Sequence, residues 1–232
     1  LVVCLDSGAG DYERLWLTTS LRGYAMGVLS VETLTEGVHS GNAGGIVPET
    51  FRIVRSLLER LEDAATGQVR VDALHVEIPE ERAAQAQLVA DALGNNVHEC
   101  FPLTAGTSPM GTDLAELVLN RTWRPALAVT GADGLPPLSL AGNVLRPHTR
   151  VKISLRIPPT CDPEAAIAAV KETLEKDPPH GAKVSFGNTG CAGGWNAPEL
   201  ADWLAEAVDE SSRTFFDRGA VLMGEGGTIP FM

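Results

Sequence analysis

The chain has 232 residues, 44% of them hydrophobic and 21% charged, which is typical of one folded domain with additional segments. Its formal net charge of −12 provides no basic surface for a phosphate backbone and argues against nucleic-acid binding. No apolar run approaches the roughly 18–20 residues of a membrane span, and the chain does not open on the pattern of a signal peptide. We therefore expect a cytoplasmic protein with neither nucleic-acid nor membrane partners.

The cysteines are widely spaced, without a C-x-x-C pair or a neighbouring histidine. They occupy Cys4, Cys100, Cys161 and Cys191. This spacing argues against a zinc finger or a disulfide scaffold and favours single thiols in a reducing compartment.

The first half of the chain predicts strands and helices separated by glycine-rich and irregular segments. In chain order these are a buried strand over 1–5, a strand over 24–35, a glycine-rich loop over 37–45, a helix from about Pro48, a helix after Pro79 that ends at Gly94, and a helix after Thr112. Pro48 suits the first helical position. Residues 64–125 are the least regular part and read as an insert.

The second half predicts a strand over 126–130, a half-buried strand over 150–157, a helix from Pro163 behind the N-cap Asp162, a strand over 182–186, a glycine-rich loop over 187–194, a helix from near Pro198 and a strand over 220–223. From Tyr24 onward the order is β-α-(insert)-β-β-α-β, the ferredoxin-like pattern. We expect the helices from Pro48 and Pro163 to cover one face of its sheet. Because the chain starts inside an apolar run without a methionine, we also expect it to be a piece of a longer protein.

Four polar residues could carry chemistry, and each has an ordinary structural alternative. Asp6 follows a buried strand and could bind a metal, or it could cap the next turn. His39 lies between glycines and could meet a ligand, or it could be solvated. Arg156 could pair with a carboxylate, and Glu225 could belong to a ligand loop, but both could equally be solvated surface residues.

Taken together, several segments resemble the dinuclear-zinc metallopeptidases of the carnosinase, aminoacylase and succinyl-diaminopimelate desuccinylase superfamily, and most closely its carnosinase-like branch. The segments are Cys4-Leu5-Asp6, Leu21-Arg22-Gly23-Tyr24, Gly37-Val38-His39-Ser40-Gly41 with Gly44-Gly45, Asn143-Val144-Leu145, Ser154-Leu155-Arg156, and Glu225-Gly226-Gly227-Thr228-Ile229-Pro230.

The resemblance implies an α/β catalytic domain that binds two zinc ions and is interrupted by a ferredoxin-like α+β lid, through which the enzyme forms a homodimer. Residues 1–21 and 187–232 would be catalytic-domain segments, and 22–186 the lid and dimerisation domain, with a helical insert over about 64–125.

The resemblance also assigns roles to individual residues. Asp6 would bind metal, and His39 would reach the neighbouring subunit's active site and polarise the scissile carbonyl. Asn143 would lie near the substrate, and Arg156 would bind the substrate carboxylate. Glu225, Gly227 and Thr228 would line the pocket at the other end of the substrate.

The sequence departs from the family pattern in ways that bear on activity. Gly224 stands where carnosinases usually place an arginine, and Pro147 is displaced by one position. The family's His-x-Asp segment, its Glu-Glu pair and its last metal histidine are missing. We therefore expect the parent protein to hydrolyse a dipeptide-like or N-acyl amino acid amide, and this chain alone to be inactive. The alternative is a non-catalytic dimerisation module.

Overall fold

The computed structural model describes Leu5 and residues 7–229. Apart from Leu5, which belongs to no helix or strand, the strand predicted over 1–5 lies outside the described residues, as does the metal ligand predicted at Asp6.

The strands of the described part range from two to ten residues in length. In chain order they are β1 (Trp16–Leu21), β2 (Gly23–Glu32), β3 (Val38–His39), β4 (Ala126–Asp133), β5 (Val144–Leu145), β6 (His148–Ile157), β7 (Lys183–Ala192), β8 (Trp195–Asn196) and β9 (Val221–Glu225).

The described residues form seven α-helices, and five of these follow one another between β3 and β4. They are α1 (Ser40–Ala43), α2 (Thr50–Leu61), α3 (Glu80–Leu93), α4 (Asn96–Glu99), α5 (Leu114–Thr122), α6 (Pro163–Glu175) and α7 (Asp202–Phe216). Within the described residues, none of these helices combines the length and apolar character needed to cross a membrane.

The largest sheet has four strands in the order β4-β6-β2-β7, and each neighbouring pair is antiparallel. Together with α2 and α6, its chain order is βαββαβ, so the predicted ferredoxin-like sandwich is confirmed. We call this sheet with its two helices the lid.

Both lid helices cover the same face of the sheet, as predicted. Burial alternates along β2, and its buried side chains, such as Leu29 and Val31, share one core with Leu57 of α2 and Val170 of α6. Leu57 and Val170 are completely buried. Each such side chain contributes about 1.5–3 kcal/mol through removal from water, so this core holds the helices on the sheet.

The two lid helices begin differently, and only one begins as predicted. The Asp162 side chain accepts hydrogen bonds from the backbone amides of Glu164 and Ala165, with Pro163 in the first turn of α6. The start predicted at Pro48 is wrong, because the Glu49 carboxylate caps α2 instead by accepting from two backbone amides. A glutamate long enough to fold back on its own helix displaces the start by two residues.

A second sheet, which we call the flanking sheet, has the order β8-β1-β9. β1 lies parallel to β9, although about two hundred residues of chain separate them, and antiparallel to β8. The insert packs on this sheet: Val89 of α3 and Leu119 of α5 share a core with Met223 of β9. The insert therefore forms a second hydrophobic core with the flanking sheet.

Two sequence predictions are wrong in their limits, and one strand was missed. β7 continues to Ala192 through the predicted loop over 187–194, because its extended backbone pairs with β2 as far as Tyr24. α7 begins at Asp202 and not near Pro198. β1 was not predicted at all, and its partner β9 becomes available only at the far end of the chain.

Candidate functional site

The loop that follows β9 forms the wall of an open cavity of about 340 Å³. The residues lining it are Leu5, Ser7, Gly8, Glu225, Gly227, Thr228 and Ile229. Three of the five predicted substrate-binding residues therefore share one cavity at the end of β9: Glu225, Gly227 and Thr228.

The Glu225 carboxyl group is partly buried in this wall. Burial raises its pKa, and the positive charge of Arg121 opposes that effect. The Arg121 guanidinium lies 3.9 Å from a Glu225 carboxylate oxygen, at the limit of an ion pair, so it compensates the burial only in part. Glu225 therefore retains the capacity to accept a proton or a further cationic partner from the cavity.

Arg22 fixes the position of this loop, and sequence reasoning assigned it no role. It is the single residue between β1 and β2 and is only 7% exposed. Its Nε donates to the Gly226 carbonyl at 3.2 Å, and its Nη1 donates to the carbonyls of Asn120 and Arg124 at 3.2 Å each. The Arg22 backbone N–H donates to the backbone carbonyl of Glu225 at 3.2 Å, and the Arg22 carbonyl accepts from the Thr228 hydroxyl at 2.6 Å.

No carboxylate hydrogen-bonds to this guanidinium among the described residues. Burial, together with the nearby positive charges of Arg156 and Arg121, lowers the pKa of Arg22 to about 10. No local sequence feature indicates this role, because the carbonyl groups that Arg22 binds lie about one hundred and two hundred residues further along the chain. A buried cation held by carbonyl groups positions the loop, and its charge adds to a cationic region beside the cavity.

Arg156 belongs to that cationic region. It lies near the end of β6, directly opposite Tyr24 of β2 and Ala126 of β4. Because its neighbours Leu155 and Ile157 are buried in the lid core, Arg156 points to the opposite face of the sheet and is half-buried there. The structure thus places Arg156 on the helix-free face of the lid, at the end that joins the flanking sheet.

His39 and Asn143 are brought together at the other end of the lid. β3 pairs with β5, which sets His39 opposite Val144, and the Ser40 amide donates to the Asn143 carbonyl at 2.9 Å. The His39 side chain is exposed, and its Nδ1 accepts from the Gly41 amide at 3.1 Å. Both predicted residues therefore stand on one small two-stranded extension of the lid.

Within one chain, His39 and Asn143 lie far from Arg156 and the Glu225 cavity. Arg156 pairs with Tyr24 at the start of β2, whereas His39 follows the far end of β2, beyond Glu32. The eight residue steps from Tyr24 to Glu32 span about 26 Å at roughly 3.3 Å per residue. His39 and Arg156 thus lie at opposite ends of the lid sheet, and the Glu225 cavity in the flanking sheet adjoins the Arg156 end through Arg22.

The described residues do not assemble a metal centre. No three histidine, cysteine, aspartate or glutamate side chains among them converge as metal ligands. Zinc takes about four ligands, and the predicted ligand Asp6 lies outside the described part. The residues at hand therefore do not fit a complete zinc site.

Comparison with known proteins connects this arrangement to a family. The family model described as "Peptidase dimerisation domain" matches residues 19–182. A relative, the cysteinylglycine-S-conjugate dipeptidase of Corynebacterium striatum, is 29% identical over 223 residues, which cover 92% of this chain and 45% of the relative. The chain thus spans about half the length of this curated relative.

Two solved structures share the fold. The di-peptidase Dug1p of Saccharomyces cerevisiae matches with a TM-score of 0.73 and 19% identity, over 94% of this chain and 46% of that one. Human carnosine dipeptidase 1 matches with a TM-score of 0.71 and 20% identity, over 94% and 46% of the two chains. These matches confirm the fold, and the family model together with the dipeptidase relative confirms the expected superfamily resemblance. Since the family model covers well over half of its residues, the chain belongs to the peptidase dimerisation domain family.

Proposed function

We propose that this chain is the dimerisation and substrate-binding part of a metallopeptidase that hydrolyses a dipeptide-like or N-acyl amino acid amide bond. Two zinc ions are the proposed metal, with Asp6 as one ligand. The proposal rests on family membership, on the similarity to a dipeptidase, and on one observation in this structure: the separation of His39 from the Glu225 cavity.

That separation supports a site completed by two subunits. Within one chain, His39 lies too far along the lid to act beside Arg156. Closed two-fold pairing is the commonest symmetry of protein oligomers. A two-fold axis perpendicular to the length of the lid brings one end of a subunit to the opposite end of its partner. A homodimer formed through the lid would place the exposed His39 of one subunit at the cavity of the other.

The residues at the two ends of the lid suit different parts of such a substrate. The Arg156 guanidinium presents a planar set of donors that suits the carboxylate of an amino acid or dipeptide. Glu225, with Gly227 and Thr228, would bind the opposite end of the substrate, and Asn143 would contact it from the lid. The exposed imidazole of His39 would donate to the scissile carbonyl oxygen as negative charge develops there.

A complementation experiment with the full-length enzyme tests the two-subunit site. His39→Ala and Asp6→Ala subunits, each inactive as homodimers, are mixed so that heterodimers form. One site in each heterodimer then combines an intact Asp6 with an intact His39, and we expect up to half of the unchanged enzyme's activity per dimer to return. Verified heterodimers without activity would exclude the action of His39 across the subunits.

The second candidate is a module that dimerises without catalytic activity. The family description names dimerisation, which favours this reading for the isolated chain. We expect the purified 232-residue chain to self-associate and to hydrolyse no dipeptide. Light scattering and a dipeptide substrate panel with added zinc check the two parts, and metal analysis of the full-length protein decides whether the parent carries zinc.

We propose a cytoplasmic location as well, supported by the acidic composition and the cysteine spacing of the sequence. Cell fractionation with an antibody to the protein would test it.

A further inference from the structure

The loop around His39 holds the imidazole through one hydrogen bond. The Gly41 backbone N–H donates to His39 Nδ1 at 3.1 Å. A backbone amide can only donate, so Nδ1 must accept and carries no proton. A neutral imidazole has one N–H, which then lies on Nε2.

The backbone on both sides of His39 is fixed, so this hydrogen bond sets the direction of the ring. His39 pairs with Val144 in the small sheet, and Ser40 is held by the Asn143 carbonyl at 2.9 Å. The Gly44 amide donates to the Ser40 carbonyl at 2.8 Å and closes the turn that carries Gly41. Since the ring is exposed and anchored at Nδ1, its Nε2–H faces away from its own loop.

Position 41 leaves space for a hydrogen atom but not for a methyl group beside the ring. A Cβ atom placed there would lie 3.1 Å from both Nδ1 and Cε1 of His39. That distance is shorter than most contacts of real Cβ atoms, so the imidazole would have to move by a few tenths of an ångström. The close approach, and not an unusual backbone angle, therefore favours glycine at this position.

We infer that Gly41 is a positioning residue: its amide fixes His39 as the Nε2–H tautomer and directs this donor out of the loop. The inference rests on the proposed function for its catalytic meaning, because the acceptor would be the carbonyl oxygen in the partner's site. An oxyanion donor is effective only when its proton is already directed at the place where the charge develops. Gly41 would supply that preorganisation without contacting the substrate.

The tautomer can be measured directly in the full-length enzyme labelled with ¹⁵N-histidine. The His39 resonances are identified by their loss in His39→Ala. We expect an unprotonated Nδ1 and a protonated Nε2 at a pH where the ring is neutral. A protonated Nδ1, or an even mixture of the two tautomers, would overturn the inference without any variant at position 41.

Gly41→Ala tests the effect on catalysis, with Asn42→Ala as a matched control on an exposed residue of the same turn. Because a misplacement of 1 Å can cost about 10²-fold in rate, we expect Gly41→Ala to lower kcat roughly tenfold and to leave KM within about twofold. Its ¹⁵N spectrum should change toward a mixture of tautomers. Asn42→Ala should preserve both kcat and the spectrum.

The double variant separates this inference from the proposed function. Introducing Gly41→Ala into His39→Ala should cause no further loss of kcat, because both changes act on the same imidazole. If His39→Ala lowers kcat while Gly41→Ala changes neither kcat nor the tautomer, Gly41 is not a positioning residue and the proposed function still stands. If His39→Ala itself leaves kcat unchanged, the proposed role of His39 fails. The tautomer measurement then still shows whether the Gly41 amide fixes the Nε2–H form of His39.

Discussion

Replacing Arg22 by methionine would remove the guanidinium from the junction of the two sheets while keeping an apolar side chain of similar length. Three backbone carbonyls, of Gly226, Asn120 and Arg124, would lose their charged donor. The Arg22 side chain is buried, so water can replace it only in part. Loss of stability is therefore the expected result.

The size of the loss follows from two opposing terms. Hydrogen bonds to a charged group contribute about 1.5–3 kcal/mol each, so three of them contribute about 5–9 kcal/mol. Burial, with the charges of Arg156 and Arg121, lowers the Arg22 pKa from 12.5 to about 10, which costs about 3.5 kcal/mol at roughly 1.4 kcal/mol per pKa unit. Because the three bonds are long at 3.2 Å, we take the lower part of their range, about 4.5–6 kcal/mol in total, and expect Arg22→Met to destabilise the protein by about 1–2.5 kcal/mol.

Urea denaturation followed by circular dichroism measures this difference. Arg121→Met is the matched control, because Arg121 is half-exposed and lies 3.9 Å from Glu225, so its loss should cost less than about 1 kcal/mol. Equal midpoints for Arg22→Met and the unchanged protein would show that the buried guanidinium contributes nothing to the junction. Equal losses for the two variants would show that the local charge matters and the carbonyl contacts do not.

Three further predictions concern single side chains. Burial raises the folded-state pKa of Glu225, so its contribution to stability is fully present below the unfolded pKa and is lost as pH rises through the folded pKa. The gain in unfolding free energy from Glu225→Gln should therefore grow as pH rises above the ordinary glutamate value of about 4.5, and a gain that does not change with pH would contradict this reasoning. Asp162→Ala removes the N-cap of α6 and should cost about 1 kcal/mol in thermal denaturation, whereas Asp162→Asn should retain most of the stability. In the full-length enzyme, Arg156→Ala should raise KM more than it lowers kcat, while Arg150→Ala, on the same face of the same strand, should leave KM unchanged.

The lid was predictable because its local patterns agree with its packing. Alternation along 150–157 places Val151, Ile153 and Leu155 in the core, and Asp162 with Pro163 sets the start of α6. These features depend on residues that are close together in the chain, so they can be predicted from the sequence. The same reasoning placed the two lid helices on one face of the sheet.

The flanking sheet and the end of β7 were not predictable in this way, because their pairing depends on contacts between distant segments. β1 contains two threonines and a serine in six residues, and it becomes a strand through its pairing with β9. Residues 187–192 appeared to be a loop because they are rich in glycine, but pairing with β2 satisfies their backbone as a strand. Tertiary hydrogen bonds overrode local preference in both segments.

In the candidate site, too, some residues could be predicted from the sequence and one could not. His39, Asn143, Arg156 and Glu225 were found through resemblance to a family, and the structure adds where each one lies. Arg22 received no role, because an arginine that holds carbonyl groups has no sequence partner to reveal it. Its donors reach Asn120 and Gly226, about one hundred and two hundred residues away.

The packing of the insert on β9 determines whether the lid can be removed. Leu21 pairs with Trp195 across β1 and β8, so the two chain crossings into the lid lie side by side, and a short turn could join them. Such a deletion would also remove α3 and α5, and with them the cover over Val221 and Met223. The truncated remainder would expose an apolar strand at the edge of a sheet, which is a known cause of aggregation. A minimal version of this protein would therefore have to retain the insert, or replace those two apolar residues with polar ones.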